Sequence, residues 1–169
     1  MKQGLKSIEN LYGELMRQRE MRKDLIADTR SLTANTEKGK TIITVNTGTD
    51  LLDYQVTEIA HRQIAERLNI PFKYYERMRT DFPMLLDANI NGWLKLKSER
   101  RMLRTLDGNL RAFLSNRYRR LDNLELVDHI LPVIAQMKNC TIASCDITET
   151  HLYLKVINKS MKAEITKGD

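Results

Sequence analysis

The sequence predicts an α+β fold in which several helices pack on antiparallel β-hairpins in a small sheet. Three observations support this class. Apolar residues recur at helical spacing in several separate stretches, alternating apolar and polar residues occur in others, and the Asp107-Gly108 pair is a favoured two-residue hairpin turn. At 169 residues the chain has the usual length of one domain, so we expect a single domain over residues 1–169.

The N-terminal part is expected to form a helix followed by a hairpin. The segment from about Leu5 to Asp24 has apolar residues at helical spacing and cations toward its end, where they suit the helix dipole. Between Thr29 and Asn46 the β-branched content rises, and residues 37–40 supply a turn before a strand over Thr41 to Asn46.

A central helical region is expected over about residues 57–96. Thr57 is a suitable N-cap for a helix to about Leu68, and residues 69–71 interrupt it before a second helix from Phe72 to about Arg79. The pair partly fits a helix-turn-helix, but Tyr75 stands where an aliphatic side chain is usual. A plain pair of core helices is the favoured reading.

Two further helical or hairpin segments complete the predicted fold. A third central helix covers Phe82 to about Leu96, with Trp93 expected in the core. After an Arg-rich hairpin at residues 100–115, a helix and terminal hairpin are expected over residues 122–157. Asp122 and Glu125 there form a capping-box pattern. The strands of the terminal hairpin are predicted at Cys140 to Ile147 and His151 to Ile157.

The positive charge of the chain is concentrated in one segment. The sequence holds 28 basic and 22 acidic residues, a net charge of +6. Nine of the basic and two of the acidic residues lie between positions 95 and 120, so this segment alone carries +7 and the remainder is nearly neutral. A local excess of this kind indicates a surface for a polyanion.

The Arg-rich hairpin is expected to present two different faces. Counting outward from the Asp107-Gly108 turn pairs Arg104 with Arg111 and leaves no acid on their face of the sheet. Directly opposed like charges destabilise a strand pair by up to about 1 kcal/mol, so an anionic partner is expected to relieve them. The predicted outward face carries Arg100, Met102, Arg104, Arg111 and Phe113.

Nucleic acid is the expected partner, since arginines bind phosphates with paired hydrogen bonds and aromatic rings stack on unpaired bases. The expected nucleic-acid-binding residues are Arg100, Arg104, Arg111, Phe113, Arg117, Tyr118, Arg119 and Arg120. Two alternatives stay open: a solvated strand face with arginines lying over Met102 and Phe113, and neutralisation by acids of the series Glu9, Glu14 and Glu20.

Catalysis is not expected, and neither a cofactor nor a metal is predicted. The candidate carboxylates Asp146, Glu149 and Glu164 lack a nuclease pattern, no Walker loop or nucleophile elbow occurs, and Cys140 and Cys145 are expected to be reduced thiols without zinc. No segment has the length of a membrane span or the form of a signal peptide, so the cytoplasm is the expected location.

Three stretches carry a resemblance to a known family: residues 60–68 (AHRQIAERL), residues 102–108 (MLRTLDG) and residues 111–123 (RAFLSNRYRRLDN). They resemble a phage- and plasmid-borne family known as a domain of unknown function, over the chain from about Leu11 to its end. The resemblance implies a mobile-element origin. Family members continue past Asp169, so the resemblance also implies a shortened copy, with terminal strands that lack sheet neighbours.

Three functions follow as hypotheses. The first is a phage or mobile-element accessory protein that binds single-stranded DNA or RNA through the Arg-rich hairpin, with a homo-oligomer as a further possibility. The second is an inhibitor of a host defence system, similar to an anti-CRISPR protein, that binds an effector protein or its RNA. The third is a helix-turn-helix regulator that reads duplex DNA with the segment Phe72 to Arg79.

Overall fold

The computed structural model describes residues 7–160 and has the predicted α+β architecture. Its elements in chain order are α1 (Ile8–Met21), β1 (Leu25–Asp28), a short 3-10 turn (Thr29–Ser31), β2 (Leu32–Glu37), β3 (Lys40–Asn46), β4 (Leu51–Val56), α2 (Glu58–Arg67), α3 (Phe72–Asp81), α4 (Pro83–Leu96), β5 (Arg100–Leu106), β6 (Asn109–Ser115), α5 (Asn123–Gln136), β7 (Cys140–Ile147) and β8 (Leu152–Asn158).

The described residues form two compact units by their internal contacts. The larger unit comprises residues 21–119, and the smaller comprises residues 7–20 together with residues 120–160. The single domain over residues 1–169 therefore stays a prediction. The start of the expected N-terminal helix, Leu5 and Lys6, lies outside the described residues.

The larger unit is built on a six-stranded sheet in the order β1-β5-β6-β4-β3-β2. Strands β2, β3 and β4 form an antiparallel meander, and β5 and β6 form an antiparallel hairpin with β1 on its outer side. The meander and the hairpin meet through a short parallel contact, in which Gln55 pairs with Asn109 and Val56 with Leu110.

Helices α2, α3 and α4 supply the other side of the core. Along β2 and β3 alternate residues are buried, as expected for a sheet with one face covered. The largest fully buried side chains of this unit include Leu32, Ile43, Ile64, Tyr75, Met78, Leu86, Ile90, Leu103 and Leu110. Their burial provides the main stabilisation of the unit, because each fully buried aliphatic side chain contributes about 1.5–3 kcal/mol.

Helix α4 closes the free edge of β2 with side chains. The Asn91 amide accepts a hydrogen bond from the Ala34 N–H at 2.7 Å and donates to the Ala34 carbonyl at 2.9 Å. The Asp87 carboxylate accepts from the Thr36 N–H at 2.8 Å and from the Thr36 hydroxyl at 2.6 Å. These bonds take the place of a further strand and prevent another chain from pairing there.

Beyond the end of β4, helix α2 and its N-cap supply hydrogen-bond partners for backbone groups of β6. Thr57 is its N-cap, as predicted, and the Thr57 N–H donates to the Leu110 carbonyl at 3.1 Å. Further along the strand, the Gln63 side-chain oxygen accepts the Phe113 N–H at 2.7 Å. The N–H of Phe113 has no neighbouring strand at this point, so a side chain of α2 accepts its hydrogen bond instead.

The smaller unit packs α1 and α5 with the β7–β8 hairpin. Its buried residues are Leu11, Leu15, Leu124, Val127, Cys145 and Ile147. The two strands have the predicted positions to within one residue, and Leu152, Leu154 and Val156 share one face as expected. Asp122 is the N-cap residue of α5, but its side chain makes no capping hydrogen bond, so the expected capping box is wrong.

Other sequence expectations differ from the structure in the larger unit. Strands β1 and β4 were not expected, and α3 extends to Asp81. Trp93 was expected in the core, but its side chain is 50% exposed, because Leu86, Ile90 and Leu94 form the buried side of α4. Among residues 7–160, none of the helices combines the length and apolar character needed to cross a bilayer.

The edge bonds of α4 generate a stability prediction. Replacing Asn91 with alanine leaves the N–H and carbonyl of Ala34 without their partner, so we expect Asn91→Ala to lower the free energy of unfolding by about 1–3 kcal/mol. Urea denaturation measures the change. Asn35→Ala, at an exposed position on the same strand, is the control and should change stability by less than about 0.5 kcal/mol. Equal effects of the two substitutions would contradict the edge role of Asn91.

Candidate nucleic-acid interface

The Arg-rich hairpin has the predicted turn but a different register. Asp107 and Gly108 have φ values of +50° and +75°, and Leu106 pairs with Asn109 and Thr105 with Leu110, as expected. A β-bulge follows. Arg104 pairs with Ala112, so Arg111 is the extra residue and every later pair is shifted by one position.

The bulge turns Phe113 into the core. Phe113 lies opposite Leu103 and is 3% exposed, within the cluster that the helices cover. The expectation that Phe113 stacks on a base is therefore wrong. The physical reason is that burial of an aromatic ring stabilises the fold by more free energy than is lost with the one ladder hydrogen bond that a bulge disrupts.

Arg104 meets an acid that sequence reasoning did not assign. Its Nε lies 3.1 Å from Oδ2 of Asp24, and the other carboxylate oxygen of Asp24 accepts the Thr105 N–H at 3.2 Å. The Asp24 side chain is 4% exposed, so the pair is shielded from solvent. Arg111 is half-buried and also has interactions within the structure. The expected unrelieved pair of arginines is thus wrong.

Basic residues are instead grouped at the end of the sheet where β5 begins and β6 ends. In the backbone register of the sheet, Arg101 lies opposite Ala27 of β1 on one side and opposite Ser115 of β6 on the other. Arg100 lies opposite Asp28 in the same register. We call this end the basic pole. It comprises Arg30, Arg67, Lys97, Arg100, Arg101, Arg117 and Arg119, and the acids that contact them among the described residues are Asp28 and Glu99.

Hydrogen bonds from Thr29 fix the chain at the start of β5, which carries three of these seven cations, Lys97, Arg100 and Arg101. The Thr29 N–H donates to the Glu99 carbonyl at 2.9 Å, and the Thr29 hydroxyl donates to the Lys97 carbonyl at 3.0 Å. Glu99 forms ion pairs with Lys97 at 3.1 Å and with Arg101. Arg100 is exposed and forms no ion pair within the described residues.

The shielded guanidinium of Arg101 lies near a second positive charge, that of the exposed residue Arg67. The Arg101 side chain is 8% exposed, and its Nε has no hydrogen-bond partner among the described residues. Burial, and then the charge of Arg67 at the end of α2, lower the pKa of Arg101. The guanidinium remains charged at neutral pH, so an added anion would be attracted here.

The acids of the basic pole are already engaged. Asp28 accepts hydrogen bonds from the Ser98 hydroxyl and from the Arg30 N–H, and these bonds lower the pKa of its carboxyl. Glu99 forms ion pairs with both Lys97 and Arg101. The Asp28 carboxyl therefore stays ionised at neutral pH, and the two acids together leave most of the positive charge of the basic pole uncompensated.

The chain makes a tight turn directly after β6. The Arg117 N–H donates to the Ser115 hydroxyl at 3.2 Å, and the Tyr118 N–H donates to the Ser115 carbonyl at 3.0 Å. Tyr118 is 42% exposed, and Arg117 and Arg119 on its two sides are exposed. An exposed aromatic residue is thus flanked in the sequence by two exposed arginines, and its role as a stacking platform stays a prediction.

The predicted site residues are therefore divided by the structure. Arg100, Arg117, Tyr118 and Arg119 belong to the same end of the larger unit, whereas Arg120 is an exposed residue of the smaller unit with interactions of its own. Sequence reasoning missed Arg30 and Arg67, which lie far away along the chain. It counted Arg101 but gave it no role, although an arginine at an inward strand position indicates a specific environment.

A buried histidine lies elsewhere in this unit. His61 is 1% exposed, its Nδ1 is 2.8 Å from the Tyr75 hydroxyl, and its Nε2 has no partner among the described residues. Burial, and then the charge of Arg79, lower the pKa of His61 to about 4, against a smaller opposite effect of Glu58. Burial also raises the pKa of Tyr75, so both groups are neutral at physiological pH.

Within residues 7–160, no three His, Cys, Asp or Glu side chains lie together in a group that would hold a metal ion. Cys140 and Cys145 are free thiols. Comparison with protein-family models, curated proteins and solved structures finds no significant match to the chain.

The buried histidine generates a pH prediction. Because the pKa of His61 is lowered in the folded state, the unfolded chain binds the proton first as pH falls, and folded stability is lost between about pH 6.5 and pH 4. We expect this group to account for a loss of about 3 kcal/mol. Urea denaturation at several pH values measures it. In His61→Asn the loss should shrink, whereas His129→Asn, at an exposed position, should behave as the unmodified protein. A pH profile unchanged by His61→Asn would contradict the assignment.

Proposed function

We propose that this chain binds single-stranded DNA or RNA at the basic pole, as an accessory protein of a phage or other mobile element. The observation that carries the proposal is the convergence of basic side chains from β5, from the end of α2 and from the segment after β6. The Arg104, Arg111 and Phe113 face of the hairpin is not part of this site, because its members are engaged or buried.

The chemistry of the site fits phosphate groups. Most of its cations are arginines, whose planar guanidinium groups bind phosphate oxygens through two parallel hydrogen bonds. Arg100, Arg117 and Arg119 are exposed and form no ion pair among the described residues, so they bind a ligand without first breaking a contact. The buried charge of Arg101 adds to the attraction of a polyanion for this end of the sheet.

Tyr118 favours a single strand over a duplex. Its half-exposed ring lies between Arg117 and Arg119, and base stacking on an aromatic side chain requires a base with a free face. Duplexes hide those faces, whereas single strands present them. The mixture of arginines and one ring is typical of binding without strong sequence preference.

Charge reversal tests the basic pole directly. We expect Arg117→Glu with Arg119→Glu to weaken single-strand binding strongly and to reduce the slope of log affinity against log salt by at least about 1.4, since two phosphate contacts are lost. Fluorescence anisotropy with labelled single-stranded DNA, single-stranded RNA and duplex across a salt series measures both quantities.

Lys38→Glu with Lys40→Glu is the matched control, because it makes the same change in net charge at the exposed turn between β2 and β3. It should leave the salt slope unchanged. Equal losses in the two double variants would show that only net charge matters and would reject the basic pole. Absence of binding to every oligonucleotide would also reject it and would direct the search to an acidic protein surface, as expected of an inhibitor of host defence.

A second prediction isolates the role of Tyr118. We expect Tyr118→Ala to weaken single-strand binding by about 1–3 kcal/mol, because one stacking contact is lost, while the salt slope stays the same. Tyr118→Phe keeps the ring and should retain most of the affinity. The same anisotropy series measures these changes. A reduced salt slope in Tyr118→Ala, or an equal loss in Tyr118→Phe, would contradict stacking.

The α2–α3 pair supports a second candidate function, duplex recognition by a helix-turn-helix. Asn69 between the helices has a φ of +54°, and Ala65 and Tyr75 are buried at positions where such a motif needs its core. Helix α3 exposes Lys73 and Arg77. Sequence-specific duplex binding that survives the Arg117 and Arg119 reversals, but not Lys73→Glu with Arg77→Glu, would favour this function over the first.

A further inference from the structure

Helix α4 has three sides, and only two of them are occupied. Leu86, Ile90 and Leu94 are buried in the core, and Asp87 and Asn91 bind the edge of β2. The third side is apolar and open. Its most exposed side chains are Met84 (86%), Leu85 (43%), Trp93 (50%) and Leu96 (70%), and Phe82, the residue immediately before the helix, is also exposed (61%).

The open side of α4 has both projecting apolar side chains and a surface hollow. Ala88, Asn89, Gly92, Trp93 and Leu96 line a surface hollow of about 360 Å³. Nothing lies within 4 Å of the position that a Cβ on Gly92 would occupy, so the floor of the hollow is bare helix backbone. Glycine inside a helix costs about 1 kcal/mol relative to alanine, which makes its presence here a cost to folding.

We propose that the open side of α4 is the interface of a homodimer. A contact between identical surfaces related by a two-fold axis must be self-complementary, and this side supplies both the projecting side chains and the hollow to receive them. Trp93 or Leu96 of one copy fits the space above Gly92 of the other.

The charge of the surface supports a second copy as the occupant. Helix α4 contains one acidic residue, Asp87, which is bound to β2, and one basic residue, Lys95. A nearly neutral surface on a chain of net charge +6 offers nothing to a polyanion or to an acidic protein. Each copy brings one exposed cation of this helix, Lys95, to the contact, so the repulsion between two positively charged copies is small there.

The area agrees with a dimer of moderate affinity. From their exposed fractions, the five apolar side chains present roughly 400 Å² per copy, so two copies bury roughly 800 Å² of apolar surface. A standard-size interface buries a total of about 1,600 Å², of which somewhat more than half is apolar. We expect a dissociation constant between about 1 and 100 μM.

Trp93 provides the readout, because it is the single tryptophan of the chain. Sedimentation of the full chain over a concentration series should show the mass rising from 19.7 kDa toward twice that value. Trp93 emission should shift to shorter wavelength over the same concentrations. Gly92→Leu fills the hollow without adding charge, so it should raise the thermal midpoint by replacing a helical glycine and yet abolish the dimer.

Leu96→Glu should also keep the chain monomeric, whereas Leu51→Glu, at a position with the same 70% exposure on β4, should dimerise as the unmodified protein does. A chain that stays monomeric at all concentrations overturns the proposal. A dimer that Gly92→Leu leaves intact, with Trp93 emission unchanged, places the contact elsewhere and also overturns it. An emission shift seen with neutral phosphatidylcholine vesicles but not with increasing protein concentration would assign this side to a lipid surface instead.

Discussion

Backbone N–H groups at the margins of the six-stranded sheet need hydrogen-bond acceptors, and side chains supply them wherever no neighbouring strand does. Asn91 and Asp87 bond to β2, Gln63 bonds to β6, and Asp24 bonds to Thr105 of β5. An unsatisfied buried backbone group costs about 1–3 kcal/mol, so these bonds constrain where the helices lie. Both the open side of α4 and the position of Arg67 at the end of α2 depend on this placement.

The hairpin shows how far local sequence rules determine a structure. The Asp107-Gly108 turn and the first two residue pairs follow from the conformations that these residues adopt readily. The bulge at Arg111 does not follow, because it arises from the tertiary environment of Phe113, which the helices bury. Local rules assume a regular ladder, and a single inserted residue reverses the face of every side chain beyond it.

Other elements show the same limit. Strand β4 was missed because Leu51 and Leu52 are both exposed, so its first half lacks the alternation that identifies a strand. The clustering of charge at positions 95–120 was visible in the sequence, and Arg117, Tyr118 and Arg119 came directly from it. Arg30 and Arg67 join the basic pole only through the pairing of β1 with β5 and the packing of α2 on β6, which are tertiary relationships.

The short parallel contact between β4 and β6 has a consequence for synthesis on the ribosome. The β2–β3–β4 meander is local and is complete once residue 56 has emerged, but its last strand pairs with Asn109 and Leu110, which are made only after the whole helical region. The growing chain must therefore hold Gln55 and Val56 without their neighbours while α2, α3 and α4 are being translated. Pairing β4 with β6 closes a loop of more than fifty residues, and the entropy lost in closing it opposes the pairing. The meander and the β5–β6 hairpin each form by closing much shorter loops. The two halves of the sheet therefore cannot join before β6 has been synthesised, and a nascent chain interrupted before that point has an open strand edge at the end of β4.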